Sequence, residues 1–230
     1  MFSIFKRPSV IHVDCFTIIP ELPDLFPIVP ASEVMPKWWK NLDPTTNYQG
    51  INRGTMKTCP GVVDYFKAGF IIPSWRDFHI EMNSGVPNTY PNEDVDIHHP
   101  SQWGEALNGY AHVKLVSPWR LREKTGVNFI FTNTFWHKHN HQMFIPNGIV
   151  NYKYQVTTNV NLVVSKNSFP NKFEITAGDP LVQCIPVSDK RVKLKLHVID
   201  APEYAAMNNY QFSFAGNYYK AKKLLERKGK

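Results

Sequence analysis

The chain has 230 residues, 43% hydrophobic, 13% aromatic and 20% charged, a balance that excludes disorder and supplies a sizeable core for one mainly β domain. Its net charge of +7 is local, because residues 1–189 hold 16 Lys/Arg against 16 Asp/Glu while residues 190–230 hold 10 against 3, so a uniformly basic body is excluded. Cys15, Cys59 and Cys184 are odd in number and far apart, which argues against a disulfide framework and fits a reducing compartment.

At the N-terminus, Lys6, Arg7 and Pro8 interrupt the first apolar residues, so no secretory signal is read, and no run reaches the ~18–20 apolar residues of a membrane span. A soluble protein without a membrane partner is expected. Eighteen prolines, about 8% of the chain against a usual ~5%, favour short strands and irregular connections. Pro20, Pro23, Pro27, Pro30 and Pro36 space out Ile18, Leu22, Leu25, Phe26, Ile28 and Val29, so residues 1–58 are expected as an extended arm laid over apolar surface, anchored by Trp38 and Trp39.

Pro60 near a first helical position, Val62, Val63 and Phe66 on one stripe and Gly69 just beyond predict a helix over Pro60–Lys67. Phe70–Pro73 follows as a strand. Residues 83–109 are mostly Asn, Pro, Gly, Asp, His and Ser and predict a long loop. Lys124, Thr125 and Gly126 signal a turn, and residues 127–135 a strand.

From Asn147 to Val187 the chain dictates sheet. Val156, Thr158, Val160, Leu162 and Val164 share one parity and Thr157, Asn159 and Asn161 the other, the period of a half-buried strand. The polar run 165–172 reverses the chain before residues 173–176, Ala177-Gly178-Asp179-Pro180 turns it again, and residues 181–187, apolar on both parities except Gln183, predict a strand covered on both sides. In residues 190–198 cations alternate with aliphatics, as in an edge strand with a solvated basic face. Asp200 as N-cap and Pro202 in the first turn predict a helix over 201–209, and a second is expected over 218–227 with lysines suiting its C-terminal dipole. The whole is read as a single antiparallel β-sandwich, β-clip or jelly-roll-like domain: an arm (1–58), a β body (59–199) and a basic helical tail (200–230).

Candidate chemistry is sparse. His137, His139 and His141 share one face of any strand they occupy, but same-face neighbours stand about 6.6 Å apart, so two of them converge on one metal and the third does not. A cupin-like oxygenase uses such a His-x-His pair, yet the carboxylate it adds a few residues on is replaced here by Gln142, Met143, Phe144 and Ile145. Glu174 and His197 supply ligands only if the fold gathers them. His98 and His99, with Asp94 and Asp96, suit a solvated loop. No Gly-x-Ser-x-Gly elbow, phosphate loop or dinucleotide fingerprint is present. No catalytic, cofactor-binding or metal residue is assigned, and no cofactor is expected.

The ordered motifs Cys59-Pro60-Gly61-Val62-Val63-Asp64-Tyr65-Phe66-Lys67-Ala68-Gly69-Phe70, Ser117-Pro118-Trp119, Thr125-Gly126-Val127 with Phe131-Thr132, Gly148-Ile149-Val150 and residues 177–186 resemble a family of uncharacterised proteins of tailed phages and bacteria. That resemblance, over residues 59–190, implies a phage context, in the virion or the infected host cytoplasm, and no mechanism. Residues 147–187 are also similar to deoxyuridine triphosphatases, with their Gly-x-x-Asp turn and Gly-Asp-x-x-x-Gln strand. Where that enzyme carries its water-activating aspartate this chain has Asn151, which accepts no proton at neutral pH, and the phosphate-binding Arg-Ser-Gly is absent. The similarity therefore implies shared strand geometry.

The resulting expectation is a non-enzymatic structural or adaptor component of a tailed phage whose partners are other protein subunits, a second copy included. The alternatives are the cupin-like oxygenase at His137 and His139, and a nucleic-acid-binding module using Lys193, Lys195, Lys222 and Lys223.

Overall fold

A computed structural model describes residues 10–137, 143–167, 169, 171–207, 222–224 and 226–227. Within the stretch expected as an arm, β1 (Ile11–Thr17) is a strand that alternates strictly, and Ile11, Val13 and Cys15 are buried in the main core. Irregular backbone begins only beyond Thr17, with α1 (Leu22–Leu25), β2 (Val29–Pro30) and α2 (Lys37–Asn41), in which Trp39 is buried and Trp38 exposed. The hairpin β3 (Thr45–Tyr48) and β4 (Ile51–Gly54) turns on Gln49 and Gly50, both at positive φ (55° and 78°), the mirror-type turn that matches strand twist.

α3 (Pro60–Lys67) has the predicted bounds, with Pro60 at its start and Phe66 buried. β5 (Phe70–Pro73) follows, then β6 (Phe78–Asn83) and β7 (Val86–Tyr90), joined through Ser84 and Gly85, again both at positive φ. β7 and β8 (Val95–His98) lie inside the stretch expected as loop. Two short 3-10 turns, Pro100–Gln102 and Gly104–Leu107, lead to β9 (Tyr110–Leu115). β10 (Arg120–Glu123), β11 (Asn128–Asn133), β12 (Met143–Phe144) and β13 (Gly148–Asn151) precede β14 (Val160–Ser165). β14 begins later than the alternation predicts, because the Thr158 hydroxyl bonds to the Ser117 hydroxyl and the Trp119 carbonyl (both 2.9 Å) instead of facing a ladder. β15 (Lys172–Ile175), β16 (Pro180–Pro186), β17 (Val192–Val198) and α4 (Ala201–Ala206) complete the described elements.

The fold is mainly β and sandwich-like, with largely antiparallel sheets ordered β10-β1-β17, β13-β11-β16-β5-β2, β12-β14-β9-β8 and β15-β6-β7, and the β3-β4 ribbon apart from them. One apolar cluster runs through the four larger sheets, including Val13, Phe70, Ile80, Val113, Phe129 and Leu162. β17 is an edge strand, as its alternating lysines require, and pairs parallel with β1. Gln183, the polar residue of β16, is 1% exposed and donates to the carbonyls of Tyr65 (2.8 Å) and Ala68 (2.9 Å), tying down the end of α3. Asp200 caps α4 by accepting from the Glu203 amide (2.8 Å). α4 docks on the body: the Tyr204 hydroxyl donates to the Pro118 carbonyl (2.8 Å), and the Arg120 guanidinium lies 3.5 Å from the Tyr204 ring centroid. Of the second predicted helix, residues 222–224 and 226–227 are helical and the remainder lies outside the described residues.

Candidate functional site

The sequence-predicted residues are scattered by the fold. His137 sits in a turn after β11, its ring 6.1 Å edge-on from Phe66, and burial pushes its pKa below the ordinary histidine value. It borders an aromatic group in which the Trp38 indole donates to the Trp136 carbonyl (2.8 Å). His139 and His141 lie outside the described residues. Glu174 and His197 are not gathered at His137: the first faces His79 (3.6 Å) and the second Asp14 (2.8 Å). Among the described residues no three His, Cys, Asp or Glu side chains are grouped to hold a metal.

Asp94 pairs with Arg76 and Asp96 with Lys114, each at 3.0 Å, and the Lys114 hydrogen bond lowers the Asp96 pKa. Asn151 is buried, its amide donating to the Gly126 carbonyl and to Asn128 Oδ1 (both 2.9 Å), so its side chain fastens a turn. Lys193 and Lys195 stand exposed on the outer face of β17, in register with His12 and Asp14. Lys222 lies 5.7 Å from the Tyr154 ring centroid.

Two features were not read from the sequence. The first is the β3-β4 ribbon, all eight strand residues of which are exposed. Its register places Thr46, Tyr48, Ile51 and Arg53 on one face, with Tyr48 59% and Ile51 56% exposed and Arg53 reaching over Tyr48. It is held at its base, where the Thr55 amide donates to the Pro44 carbonyl (2.9 Å).

The second is a cleft of about 260 Å³ on the outer face of the β12-β14-β9-β8 sheet, beside β11 and β13. His112 forms part of its lining and is 5% exposed. Neither ring nitrogen has a hydrogen-bond partner. Its ring centroid is 4.0 Å from Trp103 and 4.3 Å from His98. Burial, then the neighbouring His98, pushes its pKa down to about 4; Asn161 offsets part of this without reaching hydrogen-bonding geometry. Trp103 is delivered by the 3-10 turns, the first capped by the His99 ring, which accepts from the Ser101 amide (3.2 Å).

No family model, curated protein or solved structure compared with the chain matches it. Among the described residues no helix is long and apolar enough to cross a membrane. The signal for the ribbon was the Gln49-Gly50 dipeptide between two short polar runs. His112 carried none: alternation puts it on the polar face with Lys114, and the rings of His98 and of Trp103, nine residues upstream, pack against it.

Proposed function

We propose that this chain is a non-enzymatic subunit or adaptor of a tailed-phage particle that grips a neighbouring protein through the β3-β4 ribbon. The observation that carries this is a two-stranded ribbon outside every other sheet, exposing Tyr48, Ile51 and Arg53 on one face. A lone ribbon is marginal in water and gains its burial from a partner. Tyrosine and arginine are the residue types that dominate binding energy at protein interfaces, where they fill desolvated pockets. The phage context rests on the ordered motifs between Cys59 and Pro186.

Mass spectrometry of purified particles tests the reading. The wild-type chain is expected among the particle proteins, and the Tyr48→Ser, Ile51→Ser double variant, folded and expressed equally, is expected to be missing. Particles that lack the wild-type chain, or incorporate the variant undiminished, overturn it.

A further inference from the structure

We propose that the cleft over His112 is a binding site for a single neutral sugar ring. Its lining contains no Lys, Arg, Asp or Glu, and His112, with its pKa pushed down, is uncharged at neutral pH. Lys114, opposite Asn161 in the ladder, is paired with Asp96 at 3.0 Å, so a phosphate or carboxylate finds no unpaired counter-charge in the lining. The side chains that surround the space are instead carboxamides and a hydroxyl: Asn147, Gln155, Thr157, Asn159 and Asn161. Each both donates and accepts, the pattern that a ring of hydroxyls satisfies and a hydrocarbon does not.

The volume of about 260 Å³ lies just below the ~300 Å³ at which pockets for drug-sized ligands begin, which suits one ring and its immediate substituents. The apolar surface is supplied by Trp103, Phe131 and Ile149. The rings of Trp103 and His112 meet at 60°, so they form no parallel-walled slot for a flat nucleobase, whereas the puckered face of a sugar needs a single aromatic platform.

His112 is the second, independent mark of a ligand. A buried histidine with two unpartnered nitrogens carries a desolvation penalty that a purely structural position would avoid with an apolar ring. Asn161 is exposed at the rim, so its side chain can turn aside without disturbing the ladder, and a ligand hydroxyl then meets the imidazole as donor or acceptor. The ribbon and the cleft share no residue, so this inference stands or falls apart from the proposed particle contact.

Saturation-transfer NMR on the full chain with methyl α-glucoside, methyl β-galactoside and N-acetylglucosamine, each run against adenosine and inorganic phosphate, tests it. At least one sugar is expected to bind, with adenosine and phosphate silent, and Asn161→Ala and Trp103→Ala are each expected to weaken binding tenfold or more. His112→Phe keeps the packed ring and removes both nitrogens; it is expected to stay folded and lose the sugar. No sugar binding to the wild type, binding of adenosine or phosphate in place of sugar, or sugar affinity unchanged in all three variants overturns the inference.

Discussion

Glu123 is 1% exposed, and its carboxylate accepts from the amides of Thr125 (2.7 Å), Gly126 (2.6 Å) and Val127 (3.1 Å) and from the Thr125 hydroxyl. It closes the turn into β11, and Asn151 holds the same turn from the other side through the Gly126 carbonyl. In Glu123→Gln one acceptor oxygen becomes a donor facing amides; hydrogen bonds to a charged group contribute about 1.5–3 kcal/mol, so a loss of about 2 kcal/mol in urea unfolding is expected. Asn151→Asp places a charged acceptor against two oxygens and removes two donated bonds. A loss of about 2–3 kcal/mol is expected, with no triphosphate hydrolysis gained in a phosphate-release assay. The Lys124-Thr125-Gly126 turn was legible as composition. Its buried carboxylate was not, because a glutamate in a sequence gives no sign of the amides that will converge on it. His112 adds a pH dependence. Its folded pKa of about 4 lies below the unfolded value of ~6.5, so between these limits the unfolded chain binds the extra proton. Its contribution is complete above about pH 6.5 and is lost as pH falls toward 4. Unfolding midpoints should therefore drop between pH 7 and pH 4.5 by less in His112→Phe than in the wild type.

Elements bounded by local chemistry were legible. α3 was fixed by Pro60 at one end and Gly69 at the other, and the structure gives Gly69 a reason stronger than helix termination. At its φ of +69° an added Cβ would lie 1.8 Å from the Cys184 carbonyl oxygen. Gly69→Ala combines a left-handed backbone, which costs a residue with a side chain on the order of 1–3 kcal/mol, with a clash against the backbone of a core strand. Loss of the cooperative thermal transition, or a loss of roughly 3 kcal/mol or more, is expected by circular dichroism. β7 and β8 were hidden because Asn, Pro and Asp signal loops by composition, while Ser84-Gly85 signals a hairpin by conformation. The apolar positions of these short edge strands are too few to outvote the loop-formers around them. The β3-β4 ribbon escaped for a related reason: with no buried face there is no alternation to read, only the Gln49-Gly50 turn.

At the scale of the molecule, one strand inside the stretch expected as an arm joins distant parts of the chain. Ile11, Val13 and Cys15 alternate with His12 and Asp14 in plain sight, but the prolines beyond them suggested extended cover, and no local signal says that a strand will pair with residues 192–198 at the far end of the chain. β1 is the middle strand between β10 and β17, and its three inward side chains are 0–1% exposed. Removing it would take from both neighbours their ladder partner and uncover the core that Leu121 and the partly buried Leu194 and Leu196 share with it. Burying each such side chain contributes about 1.5–3 kcal/mol, so losing three, with two ladders, removes much of the roughly 5–15 kcal/mol that holds a domain folded. A chain lacking residues 1–17 is therefore expected to show no cooperative unfolding transition. Replacing residues 45–54 with a short Gly-Ser link is expected to shift the wild-type transition by only a few degrees, since the ribbon buries no residue of its own. Comparing the two by thermal denaturation separates them: a dispensable N-terminal segment predicts that both are tolerated, and a β1 woven between strands from the middle and last thirds of the chain predicts that only the ribbon is dispensable.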